Sequence, residues 1–169
     1  MKGLEELEIK NAFNTVSWPL LIEELENRNI SRYLIKIICS YLSDRNIVTN
    51  QGNEYDMTMG VPQGSILGPL LWNIYFDPVI RVKLPEGVQI LCYADDTALL
   101  VEAQSKETLE SRTAEAIKTI KQEITRRKLE LADTKTEMVI LYGGRKLREV
   151  QIKIGGHEIK SSNQLKYLG

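Results

Sequence analysis

The tetrapeptide Tyr93-Ala94-Asp95-Asp96 constrains this chain more than any other stretch, because it sets two like charges side by side between two apolar runs, 88–93 and 97–101. Short runs rich in β-branched, aliphatic and aromatic residues, separated by a few turn-forming residues, predict a tight hairpin with the acids at its tip. Asp is favoured in turns, so the pair alone is an ordinary turn signal. Adjacent carboxylates repel, however, unless a cation neutralises them. A hard divalent ion such as Mg²⁺ suits that role, since it takes carboxylate oxygens together with water and phosphate oxygens.

The rest of the chain supplies a frame for this hairpin. EELEIKNAF predicts a strand running into a loop, and Ser17, Trp18 and Pro19 open a helix over LLIEELENR. Ser31 caps a second helix, whose Leu34, Ile35, Ile38, Tyr41 and Leu42 recur at three- and four-residue steps and predict a buried face. Residues 46–59 read as a small hairpin around Gln51, Gly52 and Asn53. The turn GVPQGS follows, then ILGPLLWNIYFDPVI, a helix apolar on nearly every side and so expected to be buried. Residues 105–128 form the longest helical pattern, with Leu109, Ala116, Ile117, Ile120 and Ile124 on one stripe that should cover a sheet. Runs at 137–142, 150–154 and 158–160, punctuated by Gly143-Gly144 and Gly155-Gly156, predict further strands. The fold class is therefore α+β, an antiparallel sheet with helices on one face.

Composition narrows the chemistry. At 169 residues the chain suits one domain. No apolar stretch approaches the roughly 20 residues of a membrane span, and the opening MKGLEELEIK lacks a signal-peptide core, so an intracellular protein is expected. A single histidine, His157, and two cysteines far apart exclude a zinc framework, and Cys39 and Cys92 are expected to be reduced, packed thiols. A net charge of −1 withholds the basic signature of many nucleic-acid binders. Carboxylates gathered around metal ions would account for part of that balance.

YADD, joined to the upstream GVPQGSILGPLLWNIYFD, the opening EIKNAFN, the later LELADTKTEMVIL and the terminal LKYLG, closely resembles reverse transcriptases of LINE-type retrotransposons, which lack long terminal repeats. Within that group it resembles insect elements that insert into ribosomal RNA genes, or relatives of those. The five strings cover nearly the whole chain in the right order. The resemblance implies a polymerase palm that adds deoxynucleotides to a DNA primer paired with an RNA template, in the cytoplasm and nucleus. It implies two Mg²⁺ ions, replaceable by Mn²⁺ and about 4 Å apart, held by Glu8 and Asp95 with Asp96 beside them. Phe13 matches the aromatic residue that lies under the incoming sugar and leaves no room for a 2′ hydroxyl. Gln63 and Gly64 match the segment that contacts the incoming nucleotide, and Lys135 matches a lysine that protonates the leaving pyrophosphate.

Two departures from the family pattern stand out. The family places Asp where this chain has Glu8, and the extra methylene moves the carboxylate by about 1 Å, a displacement that can cost about a hundredfold in rate. The chain also reads as a single partial domain over 1–169, a palm with a small fingers-proximal hairpin near 45–60, with the fingers and thumb of the parent polymerase missing. The alternative function is a catalytically dead retroelement remnant that at most binds nucleic acid weakly.

Overall fold

The computed structural model describes residues 2–132, 137–142, 151–154 and 157–162. Its elements run β1 (Lys2–Leu7), a 3₁₀ turn (Ala12–Thr15), α1 (Trp18–Asn27), α2 (Arg32–Leu42), β2 (Asn46–Val48), β3 (Glu54–Asp56), α3 (Gly68–Ile80), β4 (Val88–Tyr93), β5 (Asp96–Glu102), α4 (Lys106–Arg126), β6 (Glu137–Tyr142), β7 (Gln151–Ile154) and β8 (His157–Ser162). The chain divides into two compact units, one of residues 1–10 and 78–169, the other of residues 11–77.

The first unit is built on a six-stranded sheet in the order β4-β5-β1-β6-β8-β7. β1 lies inside the sheet, antiparallel to β5 on one side and to β6 on the other. Its side chains alternate as a strand requires: Gly3, Glu5 and Leu7 are buried, while Leu4 and Glu6 are partly exposed. The buried row faces α4, since a Cβ at Gly3 would lie 3.4 Å from Leu109 Cδ1. α4 starts where Ser105 Oγ accepts from the Thr108 amide at 3.2 Å. Leu109, Thr113, Ala116, Ile117, Ile120 and Ile124 then recur on one side and are all buried. Each fully buried Leu or Ile contributes about 1.5 to 3 kcal/mol, so this stripe ties the helix to the sheet.

The α+β class and the helix-covered sheet are as expected, with one difference in pairing. β6 and β8 run parallel, which local patterning cannot reveal because a crossover is not encoded in either strand.

In the second unit, α1 buries Leu21 and Leu25 and α3 buries Leu71, Trp72, Tyr75 and Phe76. Three expectations need correction here. α3 is not buried all round: Leu70 is half exposed, and Ile66 in the preceding turn is almost wholly exposed. Apolar composition marked the helix but not its outward side. Of the periodic residues of α2, Ile35 and Leu42 are buried, Ile38 and Tyr41 are partly exposed and Leu34 is exposed, as are Tyr33 and Ile37 beside them. Cys39 on that helix is exposed rather than packed, while Cys92 is partly buried, and both are free thiols. The expected small hairpin forms, with Ile47 paired to Tyr55, and both strands are exposed. Among the described residues, no helix is long and apolar enough to cross a membrane.

Candidate functional site

Antiparallel pairing brings the acids together. Leu7, the last residue of β1, pairs with Thr97 of β5, so the residue after Leu7 and the residue before Thr97 come next on adjoining strands: Glu8 and Asp96. Glu8 is held on its other side, where its carbonyl accepts from the Ala132 amide at 2.9 Å and Ile9 bridges Leu131. By strand alternation both acids belong to the face opposite α4, the side of Leu4, Glu6 and Leu100.

The acidic hairpin forms as expected, with a sharper tip. Tyr93 pairs with Asp96, leaving Ala94 and Asp95 as the two-residue turn, and Ala94 takes a left-handed φ of 54°. Asp96 is thus the first residue of β5 rather than part of the tip, and it is partly buried, whereas Asp95 is exposed. The Asp96 carboxyl is raised above its ordinary pKa by burial first, then by the charges of Asp95 and Glu8. Asp96 therefore lies in electrostatic reach of both Glu8 and Asp95 in the first unit.

A divalent ion fits this donor set in one respect. All three groups are hard carboxylates whose mutual repulsion a cation would relieve, and Mg²⁺ needs only one or two of them alongside water and phosphate oxygens. The three side chains are not drawn into a closed cage, and no group of three metal-ligating residues stands ready among the described residues.

The second unit holds the other candidates. Phe13 lies in the 3₁₀ turn entered through Asn11, whose φ is 48°. Its partly buried ring stacks on Trp72, with centroids 5.4 Å apart and planes at 24°. The segment before Gln63 is strapped to the segment after Phe13: Val61 N–H donates to the Phe13 carbonyl at 2.8 Å, and Gly60 N–H to the Val16 carbonyl at 2.7 Å. Trp18 Nε1 closes the strap on the Gly60 carbonyl at 2.7 Å. Gln63 and Gly64 are exposed, and Gly64 has φ +74° with open space around it, so the turn can receive a group from outside. Phe13 and the Gln63–Gly64 turn thus share one hydrogen-bonded scaffold. Lys135 and the terminal LKYLG lie outside the described residues.

Sequence reasoning passed over three residues. Trp18 and Trp72 were read as helix residues, and only their distant partners show what they hold. Glu5 is 1% exposed with neither carboxylate oxygen hydrogen-bonded among the described residues, and burial lifts its pKa to about 8. The alternation of buried Gly3 and Leu7 would have placed it inward.

A family profile described as reverse transcriptase (RNA-dependent DNA polymerase) matches residues 2–169. Among curated proteins, a putative 115 kDa protein in the type-1 retrotransposable element R1DM of Drosophila melanogaster is 28% identical over 96% of this chain. A Pol polyprotein from the type-1 retrotransposable element R2 of Nasonia vitripennis is 25% identical over 96%. The RNA-directed DNA polymerase of the mobile element jockey in D. melanogaster is 35% identical over 59%. The chain spans only 16%, 17% and 12% of those proteins, respectively. Among solved structures, telomerase of Candida tropicalis with a TWJ fragment of telomeric RNA superposes over 99% of this chain and 28% of its own, with a TM-score of 0.65 at 13% identity. That likeness is one of fold.

Proposed function

The chain belongs to the reverse transcriptase family, and from that premise we propose that it is the palm portion of an RNA-directed DNA polymerase of a non-LTR retrotransposon. The observation that supports this reading most is the pairing that makes Glu8 and Asp96 neighbours on adjoining strands, with Asp95 at the hairpin tip.

In this reading Glu8, Asp95 and Asp96 hold two divalent ions, Mg²⁺ by preference and Mn²⁺ as substitute. When bound, the ions supply Lewis acidity for in-line attack of a primer 3′ hydroxyl on the α-phosphate of a deoxynucleoside triphosphate. The chain's own residues do the placing. Phe13 bars a 2′ hydroxyl, and the Gln63–Gly64 turn offers backbone and amide to the incoming nucleotide. Lys135 gives a proton to the pyrophosphate oxygen as its bond to the α-phosphorus breaks. An RNA template and a DNA primer are the partners, met in the cytoplasm or nucleus. The fingers and thumb that would clamp the duplex belong to other parts of such polymerases.

Primer extension on an RNA template tests the assignment. Glu8→Asp is expected to raise the rate, by up to about a hundredfold if the added methylene misplaces the carboxylate by its full length. Asp95→Ala is expected to abolish extension. Equal rates in wild type and both variants would discard the assignment. A second reading draws on Glu8 itself, since a misplaced carboxylate suits a decayed remnant. In that case extension is absent and Mn²⁺ does not restore it.

A further inference from the structure

Phe13 stands at the end of an aromatic column. Its ring rests on Trp72, and Trp72 lies on Phe76 with centroids 5.0 Å apart and planes at 14°. Trp72 is 0% exposed and Phe76 1%, so the column is fixed in the core at one end, while the Phe13 ring is partly exposed at the other. The Phe13 backbone is held as well, by the Val61 amide on its carbonyl and by the Trp18 indole on Gly60 next door.

A ring excludes a hydroxyl only if it cannot yield. A side chain with empty space beneath it sinks or rotates by the small distance an extra oxygen needs, and selectivity falls although the ring is still present. Trp72 limits that freedom: it is a flat, fully buried surface in stacking contact with Phe13 and itself stacked on a second ring. The contact is close to parallel, one of the arrangements favoured for aromatic pairs.

We propose that Trp72 is a positioning residue for sugar selection, holding the Phe13 ring from beneath so that the nucleotide pocket stays closed to a 2′ hydroxyl. The inference rests on the reading of Phe13 as the residue under the incoming sugar. Trp72 acts through Phe13, since its complete burial keeps it from touching a nucleotide itself.

The test is single-nucleotide incorporation by the 169-residue chain with Mn²⁺, on a DNA primer paired to an RNA template. The quantity scored is kcat/KM for dATP divided by kcat/KM for ATP, in wild type, Phe13→Val, Trp72→Met and Trp72→Phe. Phe13→Val is expected to lower the ratio strongly. Trp72→Met, which keeps an apolar side chain but removes the ring, is expected to lower it about threefold to tenfold, the size of one ring contact. The change should fall mainly on KM for ATP. Trp72→Phe, which restores a ring, should return the ratio to near the wild-type value. A merely structural Trp72 would depress use of both nucleotides together and leave the ratio alone. An unchanged ratio in Trp72→Met beside a lowered ratio in Phe13→Val overturns the inference. An unchanged ratio in Phe13→Val, or no incorporation by wild type, instead removes the reading of the site and the inference with it. If circular dichroism shows Trp72→Met unfolded, Phe76→Leu is scored in its place. It leaves Phe13 and Trp72 present while loosening the column from below, so a lowered ratio supports the proposal and an unchanged one overturns it.

Discussion

Two glutamates three positions apart, Glu5 in the first strand and Glu8 just past its end, have opposite fates. Glu8 belongs to the face away from α4 and meets the hairpin acids, whereas Glu5 points under the helix among apolar side chains. A buried carboxyl without partners favours its neutral form, and its pKa of about 8 says the same. Because the folded chain keeps a proton that the unfolded chain releases, stability should decline as pH rises from the ordinary carboxylate range to about 8, then level off. Glu5→Gln should remove that slope, and Glu5→Leu should remove it while raising stability at pH 8, both read by urea denaturation from pH 5 to 9. A wild-type chain whose stability is flat or rising across that interval would contradict the burial. The sequence singles out Glu8 because five strings fix its context. It did not single out Glu5, because the solvent side of a strand is settled by the helix that covers it.

At the level of elements, the turn GVPQGS shows how two glycines with similar backbones serve differently. Gly60 has φ +91°, and a Cβ there would lie 2.9 Å from the Asn14 carbonyl oxygen. Gly64 has φ +74° with nothing within 4 Å. Gly64→Ala should therefore cost only the backbone strain, about 1 kcal/mol. Gly60→Ala should cost about 2 kcal/mol or more, as strain and clash combine. Chemical denaturation of the two variants measures the difference, and equal costs would mean that the strap between residues 13–16 and 60–61 does not hold in solution. The acidic hairpin and α4 are legible in the sequence because turn chemistry and helical periodicity are local. The strap is not, since two of its hydrogen bonds join backbone to backbone and the third, from the Trp18 indole, ends on a backbone carbonyl 42 residues away, so none leaves a mark in side-chain pattern. The exposed side of α2 escaped notice for a related reason: periodicity reports an apolar face without reporting what covers it.

For the molecule as a whole, the order of elements predicts the α+β class, but the order of strands follows from long-range pairing. β1 lies between β5 and β6, both far later in the chain, and this insertion carries Glu8 to Asp96. Near-neutral net charge is consistent with a sheet that concentrates carboxylates at one end of its strands. Residues at the heart of the α4 interface should then matter for the acids at a distance. Ile120→Ala, with a side chain that is wholly buried, is expected to cost about 2 to 5 kcal/mol, seen as a lowered Tm, and to weaken metal binding only through the loss of folded chain.

The most direct test is titration of the folded protein with Mn²⁺, followed by the electron paramagnetic resonance signal of the free ion. Wild type should take up Mn²⁺, and Glu8→Gln and Asp95→Asn should each weaken uptake by about tenfold or more, as removal of one charged ligand from a shared site requires. Uptake that is the same in wild type and in both variants would show that the two strands do not share an ion, and would contradict the account at its centre.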